Sequence, residues 1–199
     1  LLDAGANPSI QMDTGETPMS IALKKRNKKM IKLLAKPCFP SLKEQEINEL
    51  IIWSVKNNEP KILQALLPRD GNPNLKSEFE DGDSLLRIAL DLSSAKILEV
   101  LIAAGANPSE INGMGLTVLH RCIEKSYSFG PPCLTYLNIL LRKNPDLNVR
   151  DSNGDTPLIL ATKMISTEQK LIVKYLFEKN LPTLQERERD LMMFWAIEN

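Results

Sequence analysis

Five times along the chain, apolar residues fall at positions i, i+1, i+4 and i+5 of a short segment. The segments are Met30-Ile31 with Leu34-Ala35, Ile62-Leu63 with Leu66-Leu67, Ile97-Leu98 with Leu101-Ile102, Tyr136-Leu137 with Leu140-Leu141, and Ile172-Val173 with Leu176-Phe177. In a helix this spacing gathers the four side chains into one broad stripe. A helix of about two turns cannot hold itself in water, and its stripe must be buried against something. Recurring copies satisfy one another by stacking. The pattern predicts an all-α chain of short helical units laid side by side.

Two further markers set the unit length. Ala4-Gly5-Ala6-Asn7-Pro8-Ser9 returns 100 positions later as Ala104-Gly105-Ala106-Asn107-Pro108-Ser109, with Gly71-Asn72-Pro73-Asn74 as a weaker echo between them. A Gly two residues before Thr or Ser occurs at Gly15/Thr17, Gly82/Ser84, Gly115/Thr117 and Gly154/Thr156, at separations of 67, 33 and 39. A unit of about 33 residues fits these values, given one weakly marked unit in the first gap and an insertion in the last. The insertion, around Ser126-Tyr127-Ser128-Phe129-Gly130-Pro131-Pro132, maps between the two helices of its unit. The weak unit contains Glu49-Leu50-Ile51-Ile52-Trp53-Ser54, without Thr, Pro or a preceding turn Gly, and the next has Ser84-Leu85 in place of Thr-Pro.

The start of each unit has a readable chemistry. Thr can cap free N–H groups at a helix start, and Pro beside it occupies the first helical position, where its missing N–H costs nothing. Ala lets neighbouring helices approach closely, and Gly supplies the positive φ of a tight tip. Thr156-Pro157-Leu158-Ile159-Leu160-Ala161, Thr17-Pro18-Met19-Ser20-Ile21-Ala22 and Thr117-Val118-Leu119-His120-Arg121-Cys122 resemble the Thr-Pro-Leu-His-x-Ala signature of ankyrin repeats. Asp151-Ser152-Asn153-Gly154-Asp155-Thr156-Pro157-Leu158 is the fullest copy. The resemblance covers essentially the whole chain and implies an ankyrin-repeat solenoid of stacked helix pairs with short β-hairpin-like turns. The expected organisation is a single domain over 1–199. A partial unit at 1–11 precedes units at about 12–41, 42–75, 76–108, 109–148 and 149–181, and a partial unit or cap follows at 182–199. Neither end completes a unit, so the natural protein is expected to be longer.

Composition narrows the function. Twenty-five basic and 25 acidic side chains give a formal net charge of zero, so the whole-chain charge directs the protein to neither nucleic acid nor an anionic membrane. Aromatics are 5% against 43% hydrophobic residues, which suits a core of Leu, Ile, Val and Ala between close helices. No apolar run approaches the roughly 20 residues that span a bilayer, and no integral membrane segment is expected here. Cys38, Cys122 and Cys133 lack metal-ligand spacing and read as free thiols in a reducing compartment, cytoplasm or nucleus. No Ser-His-Asp or Cys-His constellation and no Gly-rich phosphate loop is readable. No catalytic residue, cofactor or metal site is therefore expected, and the chain is not expected to be an enzyme. His120, the single histidine, is expected to hydrogen-bond locally near Thr117. Trp53 shares its register with Ile21, Ile88 and Leu160 and is expected to pack in the core.

The resemblance implies another protein as partner, held on the concave side by hairpin tips and first-helix ends. Carried over by position, the tips are Asp13, Thr14 and Glu16; Glu80, Asp81 and Asp83; Met114 and Leu116; and Ser152, Asn153 and Asp155. The helix positions are Lys24 and Lys25, Lys56 and Asn57, Asp91 and Leu92, Glu124 and Lys125, and Lys163 and Met164. Charge is segregated along this strip. Lys24, Lys25, Arg26, Lys28, Lys29, Lys32 and Lys36 form a run without an acid, whereas Glu78, Glu80, Asp81, Asp83 and Asp91 concentrate negative charge. Such a strip could orient a partner. The function expected is that of a scaffold, adaptor or targeting module, monomeric as this segment. The alternatives are a regulatory or targeting segment of a larger enzyme or bacterial host-directed effector, or a phospholipid or nucleic-acid binder acting through the basic run. The zero net charge and the lack of interleaved aromatics disfavour nucleic acid.

Overall fold

A computed structural model describes residues 4, 6–38, 41–68, 71–76, 83–129, 132–164, 167–180 and 186–198. They form α1 (Pro18–Lys24), α2 (Lys28–Cys38), α3 (Glu44–Lys56), α4 (Pro60–Leu66), α5 (Leu85–Asp91), α6 (Ala95–Ala103), α7 (Val118–Phe129), α8 (Pro132–Leu141), α9 (Pro157–Lys163), α10 (Thr167–Asn180) and α11 (Glu186–Glu198). Among the described residues, extended pairing is confined to an isolated bridge between Lys76 and Ser84. The chain divides into two compact units, Leu1–Leu75 and Lys76–Asn199. In the first, α1 packs on α2, α3 on α4, and α1 on α3. In the second, the pairs are α5 with α6, α7 with α8 and α9 with α10. There α7 also packs on both α5 and α9, and α6 packs on α8. First helices thus form one layer of the second unit, and α6 and α8 belong to the other.

The stripes read from the sequence face the core. Their second and third members, Ile31 and Leu34, Leu63 and Leu66, Leu98 and Leu101, Leu137 and Leu140, Val173 and Leu176, are all buried. The first member is less dependable, and Met30 is exposed. Three first helices are only seven residues long. The hydroxyls of Thr17, Ser84 and Thr156 cap them by accepting the N–H of Ser20, Arg87 and Ile159. The pairs α1–α2, α3–α4 and α5–α6 turn through a left-handed residue, Arg26 at φ +50°, Asn58 at φ +54° and Ser93 at φ +54°. The next N–H, of Asn27, Glu59 or Ser94, then reaches back 2.8–3.0 Å to the carbonyl of Ala22, Ser54 or Ala89. This is the helix-ending bond that such a residue makes possible.

Two expectations are corrected. The extra residues expected between the two helices of the fourth pair instead largely lengthen the first, because α7 continues through Phe129 and is 12 residues long. Neither Gly nor Pro occurs from Cys122 to Phe129 to interrupt a helix, and Gly130 and Pro131 lie outside the described residues. Trp53 is half-buried rather than in the core, as are Ile21 and Leu160. Ile88 of the same register is buried, so the position has no fixed depth, and in α3 Leu50, Ile51, Ser54 and Val55 take the interior instead.

The third residue of a first helix links one helix pair to the next. In α3, which has no Thr-Pro start, Glu46 accepts a hydrogen bond from the Thr17 hydroxyl at the start of α1. In α11, Glu188 accepts one from the Thr156 hydroxyl at the start of α9, at 2.8 Å. In α7 the residue is His120. The Thr117 backbone N–H donates to its Nδ1 at 3.2 Å, with the Thr117 hydroxyl 2.9 Å from the same nitrogen. Nδ1 therefore accepts, which leaves Nε2–H to donate to the Asp155 carbonyl at 3.1 Å. The local bond expected for His120 is present, and the ring also reaches the following hairpin.

Burial pushes the His120 imidazole below its ordinary value, against the opposing pull of the Asp155 carbonyl and of the Asp151, Glu124 and Asp155 charges. A protonated ring would also place a second N–H against the Thr117 donor. The unfolded chain takes up its proton first, near pH 6.5. This contribution to stability is therefore complete above about pH 6.5 and is lost as pH falls toward the lower folded value. The urea midpoint is expected to fall more between pH 7.5 and pH 5.5 for the wild type than for His120→Gln. Equal slopes would remove His120 from the pH response.

Candidate functional site

Three of the tips are built alike. The N–H of Met12, Asn112 and Asp151 donates across the turn to the carbonyl of Glu16, Leu116 and Asp155, at 2.9, 3.1 and 2.9 Å. Gly15, Gly115 and Gly154 donate back to Met12, Asn112 and Asp151, and sit at φ +78°, +73° and +79°. That left-handed backbone explains the recurrent Gly. An Asx side chain locks two of the tips. Asn112 Oδ1 accepts the N–H of Met114 and Leu116, both at 3.0 Å. Asp151 Oδ1 accepts those of Asn153 and Asp155 at 2.8 and 2.9 Å. Burial alone would raise the Asp151 carboxyl, but the N–H groups of Asp155 and Asn153 outweigh it and hold it below its ordinary value. Asp13, Thr14, Met114, Ser152 and Asn153 are left exposed. Glu80 and Asp81, with Glu78 and the Gly82 marker, lie outside the described residues.

The helix positions fall in one register. Lys24, Lys56, Asp91 and Lys163 are the last residues of α1, α3, α5 and α9, and Lys25, Asn57, Leu92 and Met164 are the C-caps that follow. Glu124 and Lys125 depart from it, since they lie mid-helix in the lengthened α7.

Several tip and helix-end residues meet as ion pairs. Glu16 pairs with Lys24 at 2.5 Å, and Asp155 with Lys163 at 2.5 Å. Hydrogen bonding and charge from Lys24 hold the Glu16 carboxyl below its ordinary value, and the same contact raises Lys24. Asp155 is buried, not an open tip charge. Asp83 is also buried and lies 3.0 Å from Arg87. Asp91 receives Arg121 at 3.1 Å and Lys125 at 2.7 Å, both from α7, and Arg121 also pairs with Glu124 at 3.4 Å. Of the basic run, Lys28 and Lys32 both turn to Glu59, at 3.6 and 2.5 Å.

Arg87 and Arg121 organise these charges, and sequence reasoning missed both. The signal for Arg87 was available, since Asp83, Arg87 and Asp91 lie four residues apart, a spacing that faces them on one helix side. Sequence reasoning also missed the apolar exposure of Met12 and Ile111 at the tips. Met12 is 56% exposed, Ile111 52% and the expected Met114 54%. Leu92 is exposed as well, whereas Leu116 is half-buried.

Short capped helix pairs joined through left-handed turns, with Gly-tipped hairpins before the first helix, define an ankyrin-repeat fold. Solved ankyrin-repeat domains bear this out. The crystal structure of an ankyrin repeat domain from Acinetobacter baumannii AYE superposes with a TM-score of 0.66 at 21% identity, covering 90% of this chain and 89% of that one. The ankyrin repeat domain of Bcl-3, a member of the IkappaB protein family, gives 0.60 at 22% identity over 86% of this chain and 73% of its own. Ankyrin-repeat folds are in general modules for protein–protein interaction and are typically non-enzymatic. In sequence, the chain is 33% identical to protein PhlB of Serratia liquefaciens over 116 residues, 58% of this chain and 48% of PhlB. It is 26% identical to the human transient receptor potential cation channel subfamily A member 1 over 161 residues, 76% of this chain and 14% of the channel. The chain thus spans about half the length of the first relative and a seventh of the second. No family model matches it. Among the described residues, no helix is long and apolar enough to cross a membrane.

Proposed function

We propose that this chain is the part of its protein that holds another protein, in a scaffolding, adaptor or targeting role, through its hairpin tips and first-helix ends. One observation carries the reading. The hairpin of residues 111–116 presents Ile111 and Met114 to solvent while its backbone is tied by the cross-turn bond and by Asn112. Exposed apolar side chains beside polar ones mark interaction sites. A backbone already ordered loses little freedom on docking. The paired charges, Asp155 with Lys163 and Asp91 with Arg121 and Lys125, then form a polar rim whose partners are internal until a ligand competes for them. The basic-run alternative is weakened because Lys28 and Lys32 already pair with Glu59.

A photo-crosslinking residue at Met114 or Lys163 is expected to capture protein partners from a cell extract. The same residue at Lys96 of α6 or Lys174 of α10, both exposed on second helices, is expected to capture far less. Equal capture from all four positions, or binding only to anionic vesicles or nucleic acid, would overturn the reading.

A further inference from the structure

The junction of α7 and α8 places two thiols against each other. Cys122 Sγ and Cys133 Sγ lie 3.4 Å apart. Cys133 Sγ is also 3.3 Å from the Cys122 carbonyl, and Cys122 Sγ is 3.8 Å from the Cys133 carbonyl. Both cysteines are free, at 1% and 5% exposure. They line a small cavity together with Ser93, Lys125, Ser126 and Tyr136. Neither thiol is used by the tips or the helix ends. A disulfide needs a sulfur separation of about 2.05 Å, so the two atoms must close by only roughly 1.4 Å.

We propose that Cys122 and Cys133 are a modification site, a thiol pair that hydrogen peroxide converts to a disulfide joining α7 to α8 and that added thiol restores. The sulfur of Cys133, the less completely buried residue of the two, attacks one oxygen of the peroxide as its thiolate. The O–O bond breaks, Cys133 becomes a sulfenic acid, and the departing hydroxide takes up the proton that Cys133 lost. Cys122 Sγ then attacks Cys133 Sγ, the S–O bond breaks, and hydroxide leaves as water with the Cys122 proton. Two thiols and one hydrogen peroxide yield one disulfide and two waters, with two electrons passing from sulfur to oxygen. The order suits the surroundings. The hydrogen bond to Cys133 and burial push the Cys122 thiol well above its ordinary value, as fits the second sulfur to react rather than the first. The tight enclosure favours a peroxide over bulkier oxidants. The bond would enclose residues 123–132, the stretch where this helix pair exceeds the others in length.

The test uses the full chain in its folded state, treated with excess hydrogen peroxide, then unfolded in N-ethylmaleimide and mapped by mass spectrometry. The expected product has lost the mass of two hydrogens and yields one cross-linked Cys122–Cys133 peptide. Dithiothreitol returns both maleimide sites. In Cys122→Ser the second step is blocked, and dimedone is expected to label the Cys133 sulfenic acid. Thiols at 122 and 133 that both still take maleimide after peroxide would overturn the proposal, as would Cys133 pairing with Cys38 instead. So would a Cys122→Ser variant that dimedone leaves unlabelled at Cys133.

Discussion

Leu101→Ala is expected to lower unfolding free energy by about 2–5 kcal/mol, the range for truncating a buried Leu in a packed core. Leu101 is the third member of the α6 stripe and is fully buried. The helix that carries it packs on both α5 and α8, so the void would open toward two neighbours at once. Ala is itself a strong helix former, and the Leu101 carbonyl would keep its bond from the Ala106 N–H at 3.0 Å. The loss would therefore report packing rather than helix propensity. Urea titration measures it. A change within about 0.5 kcal/mol, as at an ordinary surface site, would mean that the stripe does not face the core.

The second large effect falls on a residue whose role in the sequence looks different from its role in space. Gly71 belongs to a loop that echoes the Asn-Pro segments, where Gly suggests the end of a helix. Its constraint is room. A Cβ built on Gly71 would lie 2.8 Å from the Leu66 carbonyl oxygen, 2.8 Å from Leu67 Cα and 2.9 Å from Ile51 Cδ1. Two of those atoms are backbone and cannot swing aside. Gly71→Ala is therefore expected to cost about 1–3 kcal/mol, as overpacking does. Gly15 is the contrasting case, with nothing within 4 Å of its Cβ position and a φ of +78°. An unchanged urea midpoint for Gly71→Ala would show that the loop has slack to move away from α4.

Most of the helices were legible because each carries a periodic signal that stacking demands. The caps were legible too, since Thr17, Ser84 and Thr156 are chemically suited to the place they occupy. Three kinds of feature were not. The turns at Arg26, Asn58 and Ser93 share a left-handed backbone without sharing a residue type, so no motif announces them. The end of α7 depends on where helix formation stops inside an insertion, and a unit length of about 33 counts the extra residues without shaping them.

Charge was the third. A run such as Lys24 to Lys36 reads as one strip, but Lys28 and Lys32 find Glu59 across a helix pair, and Asp91 takes its partners from α7. Those pairings join residues about 30 apart, beyond the reach of any local spacing rule. Half of the candidate site was therefore visible as positions and little of it as chemistry. The last residues and C-caps of four first helices were placed by register, whereas the burial of Asp83 and Asp155 depended on neighbours the sequence does not name.

The bonds made by the third residue of a first helix also bear on how the protein comes apart. Glu46 closes on Thr17, His120 on the Asp155 carbonyl, and Glu188 on Thr156. Each cap or hairpin is thus completed by an atom belonging to an adjacent helix pair, and these partners are buried. When α11 frays, Thr156 loses the acceptor of its hydroxyl, and the start of α9 weakens before any of its own packing is disturbed. Stability in such an array has a nearest-neighbour character. Disorder entering at α11 would pass first to α9, and within the second unit each lost helix pair would loosen the one beside it.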